Sequence, residues 1–131
     1  MPTEIIILAG DIRLEGYLSD SPTGQALAAA LPIEGQAHRW GDEIYFPVPQ
    51  VVEKLDDTAA TVVNVGDLGY WPPGRAFCIF FGLTPSSVPG EIRPASAVNL
   101  VGRITGDTCC LAKVSEGAKV RVERKLSRLS P

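Results

Sequence analysis

The stretch that decides the fold covers residues 64–85 and reads NVGDLGYWPPGRAFCIFFGLTP. It holds five of the nine aromatic residues of the chain, and a Trp-Pro-Pro-Gly turn at positions 71–74 divides it. Residues 76–81, after the turn, are all apolar. Successive side chains of a strand point to opposite faces, so a continuous apolar run indicates a strand that is covered on both faces. The stretch therefore predicts a central strand paired on both sides, with Phe77, Ile79 and Phe81 on one face.

The rest of the chain predicts shorter strands and one helix packed around this stretch. Ser21 is a suitable N-cap and Pro22 a suitable first residue for a helix over 22–31, which Pro32 ends. A short helix is predicted over 107–114. Apolar or alternating segments predict strands over 4–9, 12–18, 33–40, 43–46, 58–65, 98–104 and 118–123. Seven or eight short strands with glycine and proline punctuation indicate a mainly β fold, either a closed barrel or a sandwich.

Length, charge and hydropathy exclude several classes of protein. A chain of 131 residues predicts one domain over 1–131. Its net charge of −3 argues against binding to nucleic acid. Basic residues do crowd the C-terminus, which we interpret as a solvated last strand and tail: Lys119, Arg121, Arg124, Lys125 and Arg128. The apolar segment at 5–10 is too short for a membrane span or a signal peptide.

The three cysteines, Cys78, Cys109 and Cys110, indicate a reducing compartment. Their number is odd, two of them are adjacent, and no C-x-x-C spacing occurs. With a single histidine in the chain, this pattern predicts neither a disulfide framework nor a metal site. We therefore expect a cytoplasmic protein without a metal or other cofactor.

Several of these segments resemble the cyclophilin barrel. The segment at 19–32, SDSPTGQALAAALP, is similar to the proline-started helix that follows the second cyclophilin strand. The segments at 66–82 and 98–107 are similar to the aromatic strand and a later strand of that fold. The closer resemblance is to a small bacterial and archaeal family of cyclophilin-like proteins of unknown function. It is carried by RWGDEIYFPVP, GDLGYWPPGRAFCIFFG, EIRPAS and VNLVGRI. The resemblance implies a closed cyclophilin-like barrel of about eight strands with one or two short helices.

The resemblance also raises the activity of a peptidyl-prolyl cis-trans isomerase. Cyclophilins polarise the proline amide with an arginine from an F-H-R sequence, and Arg39 of Ala37-His38-Arg39 stands at that place. Other parts of the cyclophilin site differ. GDEIYFPVP replaces the F-M-x-Q segment and supplies no glutamine, and YWPP replaces the S-M-A segment. Neither tryptophan nor histidine precedes the strand at 98–104.

We predict a ligand-binding groove lined by Arg39, Tyr45, Tyr70, Trp71 and Arg75. Aromatic faces and guanidinium groups held on a rigid Pro-Pro-Gly loop suit a small molecule or a short peptide. The alternative for the same aromatics is that they plug one end of the barrel. The resemblance leaves other functions open, namely an isomerase using Arg39, a component of an amide-hydrolysing enzyme, and an interaction module.

The acidic pair Asp42 and Glu43 is interpreted as structural. Adjacent residues of a strand point to opposite faces, so the two carboxylates make a poor acid/base pair by spacing alone. We expect one of them to balance Arg39 or Arg75. Cys78, within the apolar strand, is expected to be buried and unreactive.

Overall fold

The computed structural model describes residues 1–126 and consists mainly of β-strands. It has one α-helix, α1 (Pro22–Ala30), and short 3-10 helices at Pro72–Gly74 and Cys109–Lys113. The ten strands are β1 (Thr3–Ala9), β2 (Ile12–Leu18), β3 (Ile33–Gln36), β4 (His38–Arg39), β5 (Glu43–Pro47), β6 (Ala59–Ala60), β7 (Asp67–Trp71), β8 (Ala76–Phe80), β9 (Val98–Ile104) and β10 (Lys119–Arg124).

Nine of these strands form a nearly closed barrel in the order β3-β10-β1-β2-β9-β7-β8-β5-β4. The two ends of this order are consecutive pieces of one segment, because only Ala37 separates β3 from β4. Ala37 is fully buried and exchanges two backbone hydrogen bonds with the turn before β10, with Ala118 and Gly117, each at 2.7 Å. The predicted single strand over 33–40 is therefore divided between two edges of the barrel. The predicted mainly β, cyclophilin-like fold is confirmed.

β8 is a central strand, as its apolar run predicts. It pairs with β7 on one side and with β5 on the other. Phe77 and Ile79 point into the barrel and belong to its main core. Cys78 and Phe80 point outward, where a second apolar layer that includes Val98 covers them. The strand ends one residue earlier than predicted, and both of its faces are buried.

The predicted helix is confirmed, and its start is explained by local chemistry. The Ser21 hydroxyl accepts a hydrogen bond from the backbone N–H of Gly24 at 3.1 Å, which caps the first turn. Pro22 occupies the first helical position, where a missing N–H leaves no bond unmade. Leu27 is fully buried and joins the helix to the barrel core.

The predicted strand over 58–65 is largely wrong. Only Ala59–Ala60 pairs, with the start of β9. Side chains form hydrogen bonds with the backbone just before and at the start of the segment 58–65. Asp56 accepts a hydrogen bond from the Thr58 N–H at 2.8 Å, and Asn99 donates to the Lys54 carbonyl at 2.8 Å. Such side-chain to backbone bonds compete with strand pairing, and here they outweigh the β-propensity of the threonine and valine residues.

Several basic residues of β10 and its end are paired with acids on the barrel surface. Arg121 contacts Glu34 at 2.9 Å, and Lys125 contacts Glu15 at 2.8 Å. This agrees with the interpretation of a solvated last strand. Arg128, the last residue of the basic group, lies outside the described residues.

Candidate functional site

A pocket of about 220 Å³ opens on the outer face of the sheet. Three aromatic side chains line it, Trp40, Tyr45 and Trp71, and each is partly exposed to solvent. Pro94, from the long connection before β9, and Val98, at the start of β9, complete much of the wall. The pocket is therefore mainly apolar, with aromatic rings contributed by separate parts of the chain.

A tight hairpin turn places Trp40 beside the pocket. Trp40 and Glu43 exchange backbone hydrogen bonds at 3.0 and 3.3 Å, with Gly41 and Asp42 between them. Gly41 has a φ of +61°, which a residue with a side chain rarely adopts. Residues that directly oppose each other across a hairpin project from the same face, so the side chains of Trp40 and Glu43 both face the pocket.

The Trp-Pro-Pro-Gly turn fixes Trp71. Its indole Nε1–H donates to the Ser96 hydroxyl at 2.7 Å, which ties it to the connection before β9. The ring also lies against Gly74, where a Cβ atom would come within 2.9 Å of two ring carbons. The glycine thus provides the space that this ring position needs.

The wall at 91–97 is held in place by hydrogen bonds within the connection. Thr84 is buried, its hydroxyl donates to the Arg93 carbonyl, and its N–H donates to the Ser87 hydroxyl at 3.0 Å. Ile92 forms an isolated bridge with Val63, in which the Val63 N–H donates to the Ile92 carbonyl at 2.9 Å. These contacts give the long connection a defined position over the sheet.

Glu43 is the acidic residue of the pocket. It is only 6% exposed, and it opposes Phe80 of β8 on the apolar outer face. Burial raises the pKa of its carboxyl to about 7, and the thiol of Cys78 partly offsets the rise by hydrogen bonding. Among residues 1–126, no cationic side chain pairs with this carboxyl. A nearly buried acid in an apolar pocket is a feature of functional sites.

Comparison with known proteins agrees with this architecture. The family model named Cyclophilin-like matches residues 3–123. The chain belongs to this family. The solution structure of a hypothetical protein from Archaeoglobus fulgidus is similar to this cyclophilin-like protein, with 43% identity, a TM-score of 0.79 and coverage of 95% of each chain. No curated protein matches the sequence. The resemblance inferred from the motifs is thus confirmed.

The structure brings together two of the five predicted site residues of the cyclophilin-like protein. Tyr45 and Trp71 line the pocket. Tyr70 does not, because it is fully buried in the barrel core and its hydroxyl donates to the Val51 carbonyl at 2.7 Å. Both Tyr70 and Trp71 lie in β7 rather than in a loop, and as neighbours in a strand they face opposite sides. The prediction that they share a groove is therefore wrong for Tyr70.

The two predicted arginines lie away from the pocket. Arg39 opposes Ile44, whose side chain is buried in the core, on the face opposite to Trp40. Its guanidinium donates to the carbonyls of Gly41 and Val114 and contacts Asp42 at 3.5 Å. The expectation that one acid of the pair balances Arg39 is therefore confirmed for Asp42.

Arg75 ends the Pro-Pro-Gly turn in a left-handed backbone conformation with a φ of +48°, and its side chain is exposed. It does not line the pocket. The left-handed backbone conformation belongs to the turn. The exposed guanidinium of Arg75 is not held in a position where it could contact a ligand in the pocket. Arg39 and Arg75 therefore have structural surroundings that differ from those predicted.

The sequence pattern indicated a structural role for Glu43 and did not place it in a pocket. Its signal was present in β5, where Ile44 and Phe46 alternate with Glu43 and Tyr45. Because β5 pairs with a strand buried on both faces, one side of that alternation had to face an apolar layer. The pairing itself is a long-range property that the local pattern does not give.

Three further observations concern metal sites, thiols and membrane spans. No three His, Cys, Asp or Glu side chains within residues 1–126 cluster as a metal site would require. All three cysteines are unpaired, and burial raises the pKa of the Cys78 thiol well above its ordinary value. In the described part of the chain, no helix is long and apolar enough to cross a membrane.

Proposed function

We propose that this cyclophilin-like protein binds a small molecule, or one side chain of a short peptide, in the aromatic pocket. The observation that carries the proposal is the convergence of Trp40, Tyr45 and Trp71 on one concave apolar surface. Ligand sites are typically concave and mainly apolar, with a few polar groups that fix orientation. Glu43 supplies such a polar group.

The way in which the pocket is built supports binding rather than packing alone. The Trp71 ring is anchored by its bond to Ser96 and by the space at Gly74, although the ring stays partly exposed. Preformed aromatic walls lower the entropic cost of binding, because few side chains must be ordered by the ligand.

The chain offers an unusually direct test, because its two tryptophans both line the pocket. Its NMR spectrum will contain two indole N–H signals, and both report on the site. We expect apolar fragments of about ten non-hydrogen atoms to shift both signals, with dissociation constants on the order of 0.1–1 mM.

Ala95→Phe is the blocking variant, because Ala95 lines the pocket and its exposed position tolerates a larger side chain. Ala29→Phe is the matched control, on the exposed face of α1 away from the pocket. Fragment-induced shifts should disappear in Ala95→Phe and remain in Ala29→Phe. A library that moves neither indole signal at millimolar concentration would contradict the proposal.

We also propose that the protein works in the cytoplasm with a small-molecule or peptide partner rather than with nucleic acid. Three unpaired thiols, Cys78, Cys109 and Cys110, support a reducing compartment. Arg121 and Lys125 pair with surface acids, which offsets part of the positive charge at this end of the described chain and supports the absence of nucleic-acid binding. Migration of the protein with DNA in a gel-shift assay at physiological salt would contradict the second part.

A further inference from the structure

We propose that the ligand of the pocket carries an alkylated ammonium group, held between the three aromatic faces and the carboxylate of Glu43. This inference rests on the proposed function and names the chemical class of the ligand. It follows from four features of the site, namely its aromatic faces, its single acid, its scarcity of hydrogen-bonding groups and the position of the arginines.

The aromatic faces favour a cation. The ring face of tryptophan or tyrosine carries negative electrostatic potential, and a cation within about 6 Å of the ring centre is attracted to it. Trp40, Tyr45 and Trp71 line one pocket, and each comes from a different strand or turn of the sheet. Cages of several aromatic rings are the usual means by which proteins recognise quaternary and methylated ammonium groups.

The carboxylate of Glu43, when ionised, gives the pocket a negative charge. Glu43 lines the same pocket, is 6% exposed and has no cationic partner in the described residues. A buried carboxylate without a partner is costly, and a bound cation would remove much of that cost. The arginines that could have attracted an anion, Arg39 and Arg75, do not line the pocket.

The scarcity of hydrogen-bonding groups favours an alkylated amine over a primary one. A primary ammonium has three N–H donors, and each needs an acceptor when it is buried. Glu43 and the hydroxyl of Tyr45 are the side-chain acceptors among the residues that line the pocket, whose other side chains include the apolar Pro94 and Val98. An ammonium group covered by methyl groups makes no demand for acceptors and packs against apolar walls.

The proposal implies that binding depends on pH through Glu43. The titratable groups around it are Tyr45 beside it on β5, Cys78 across on β8, and His38, whose ring lies 5.3 Å from that of Tyr45. Asp42, next to Glu43, pairs with Arg39 instead. The Cys78 thiol stays protonated because burial raises its pKa. With a pKa of about 7 for Glu43, about 1% of the carboxyl is ionised at pH 5 and about 90% at pH 8.

Two probes of equal shape separate charge from size. Choline carries a trimethylammonium group, and 3,3-dimethylbutan-1-ol replaces its nitrogen by carbon and is neutral. Both are titrated against the full chain, with the two indole N–H signals as the readout. We expect choline to bind at least about tenfold more tightly than the alcohol at pH 8. We expect choline affinity to fall at least about fivefold between pH 8 and pH 5, because the carboxylate is lost and the aromatic rings remain.

Glu43→Gln is the decisive variant, and Glu34→Gln is its control because Glu34 is a surface acid on β3 that does not line the pocket. The pH dependence of choline binding should disappear in Glu43→Gln and the choline preference should shrink to the part that the aromatic rings supply, whereas both should persist in Glu34→Gln. Equal binding of the two probes to the unmodified chain would overturn the cation inference and leave the pocket as a binding site. A preference that survives Glu43→Gln undiminished, or a pH dependence that survives the substitution, would overturn the role of the carboxylate.

Failure of the proposed function would give a different result from failure of the cation inference alone. If neither probe, nor any apolar fragment of the library, moves the indole signals, then the proposed function fails and the cation inference fails with it. Because Glu43→Gln removes a buried ionisable group, we expect it to fold at least as well as the unmodified chain at pH 8. Unchanged indole positions in the free variant will show that the pocket is intact.

Discussion

Replacing Glu43 by glutamine should stabilise the protein at neutral and alkaline pH, and the size of the effect follows from the raised pKa. The carboxyl has an ordinary pKa of 4.5, which applies to the unfolded chain, and a pKa of about 7 in the folded state. Each pKa unit corresponds to about 1.4 kcal/mol, so the difference amounts to about 3 kcal/mol. This is a large share of the roughly 5–15 kcal/mol that stabilises a typical domain.

The sign follows from proton linkage. A folded-state pKa above the unfolded value means that the folded protein binds the proton more tightly than the unfolded chain does. Below pH 4.5 both states are protonated, and Glu43 causes no loss of stability. As pH rises from 4.5 through 7, the unfolded chain ionises first and stability is lost. By pH 8 nearly the whole difference is present. Glutamine does not titrate, so the variant escapes this loss.

Urea unfolding of the protein and of Glu43→Gln at intervals from pH 4 to pH 9 will measure the effect. Loss of a hydrogen bond in the variant would add a constant offset, so the signature is the change with pH of the difference between the two free energies of unfolding. We expect this difference to move by about 3 kcal/mol in favour of the variant between pH 4.5 and pH 8. A difference that stays constant over this range would refute the placement of Glu43 in an apolar environment.

Glu34→Gln is the control of opposite sign. Hydrogen bonding to Arg121 lowers the pKa of the Glu34 carboxyl, so ionised Glu34 favours the folded state. Its replacement should therefore remove a little stability above pH 4.5, and progressively less as pH falls below 4.5 through the lowered folded-state pKa. Since the Glu34 side chain is largely solvated, we expect this effect to be much smaller than that of Glu43.

Three further predictions test the fold and its chemistry. Phe77→Ala and Tyr70→Ala, both at fully buried positions, should each cost about 3–5 kcal/mol of unfolding free energy, whereas Trp71→Ala should cost about 1–2 kcal/mol. Urea unfolding midpoints will measure these costs. An equal loss for Trp71→Ala would show that Trp71 is a packing residue. Cis-trans isomerisation of a proline test peptide in the presence of the protein should stay near its spontaneous time of roughly tens of seconds, because Arg39 does not line the pocket. Catalysis that disappears in Arg39→Ala would restore the isomerase alternative. Strong reductant and chelator should leave the melting temperature unchanged, since the three thiols are unpaired; a clear drop with either reagent would reveal a disulfide or a metal.

The sequence was most informative where structure depends on near neighbours. Ser21 caps the helix three residues ahead, and Pro22 starts it, so both signals lie within the segment that they determine. The apolar run of β8 likewise predicts its own burial, since alternation along one strand shows which faces are covered. Such features survive in any context that buries the segment.

The sequence was least informative where distant groups compete for a segment. Asn99 and Asp56 take the backbone before 58–65 out of the sheet, although threonine and valine there favour a strand. Glu43 became a pocket residue only because β5 pairs with β8 in a register that sets it opposite Phe80. A shift of this register by one residue would turn Glu43 toward the other face. The Asn99 bond to Lys54 and the pairing of Glu43 with Phe80 both join residues that are far apart in the sequence, and local patterns do not show such pairings.

The junction at Ala37 has a consequence for the way in which the barrel opens. Strands at the edge of a sheet ordinarily fray first and exchange their amide hydrogens by small local openings. Here β3 is bonded to β10, β4 is bonded to β5, and Ala37 joins the two covalently. Detaching this segment therefore requires release from two sides of the barrel together. The amide hydrogens of Ala37 and Gly117, which bond across the junction, should exchange with solvent as slowly as those of the central strand β8.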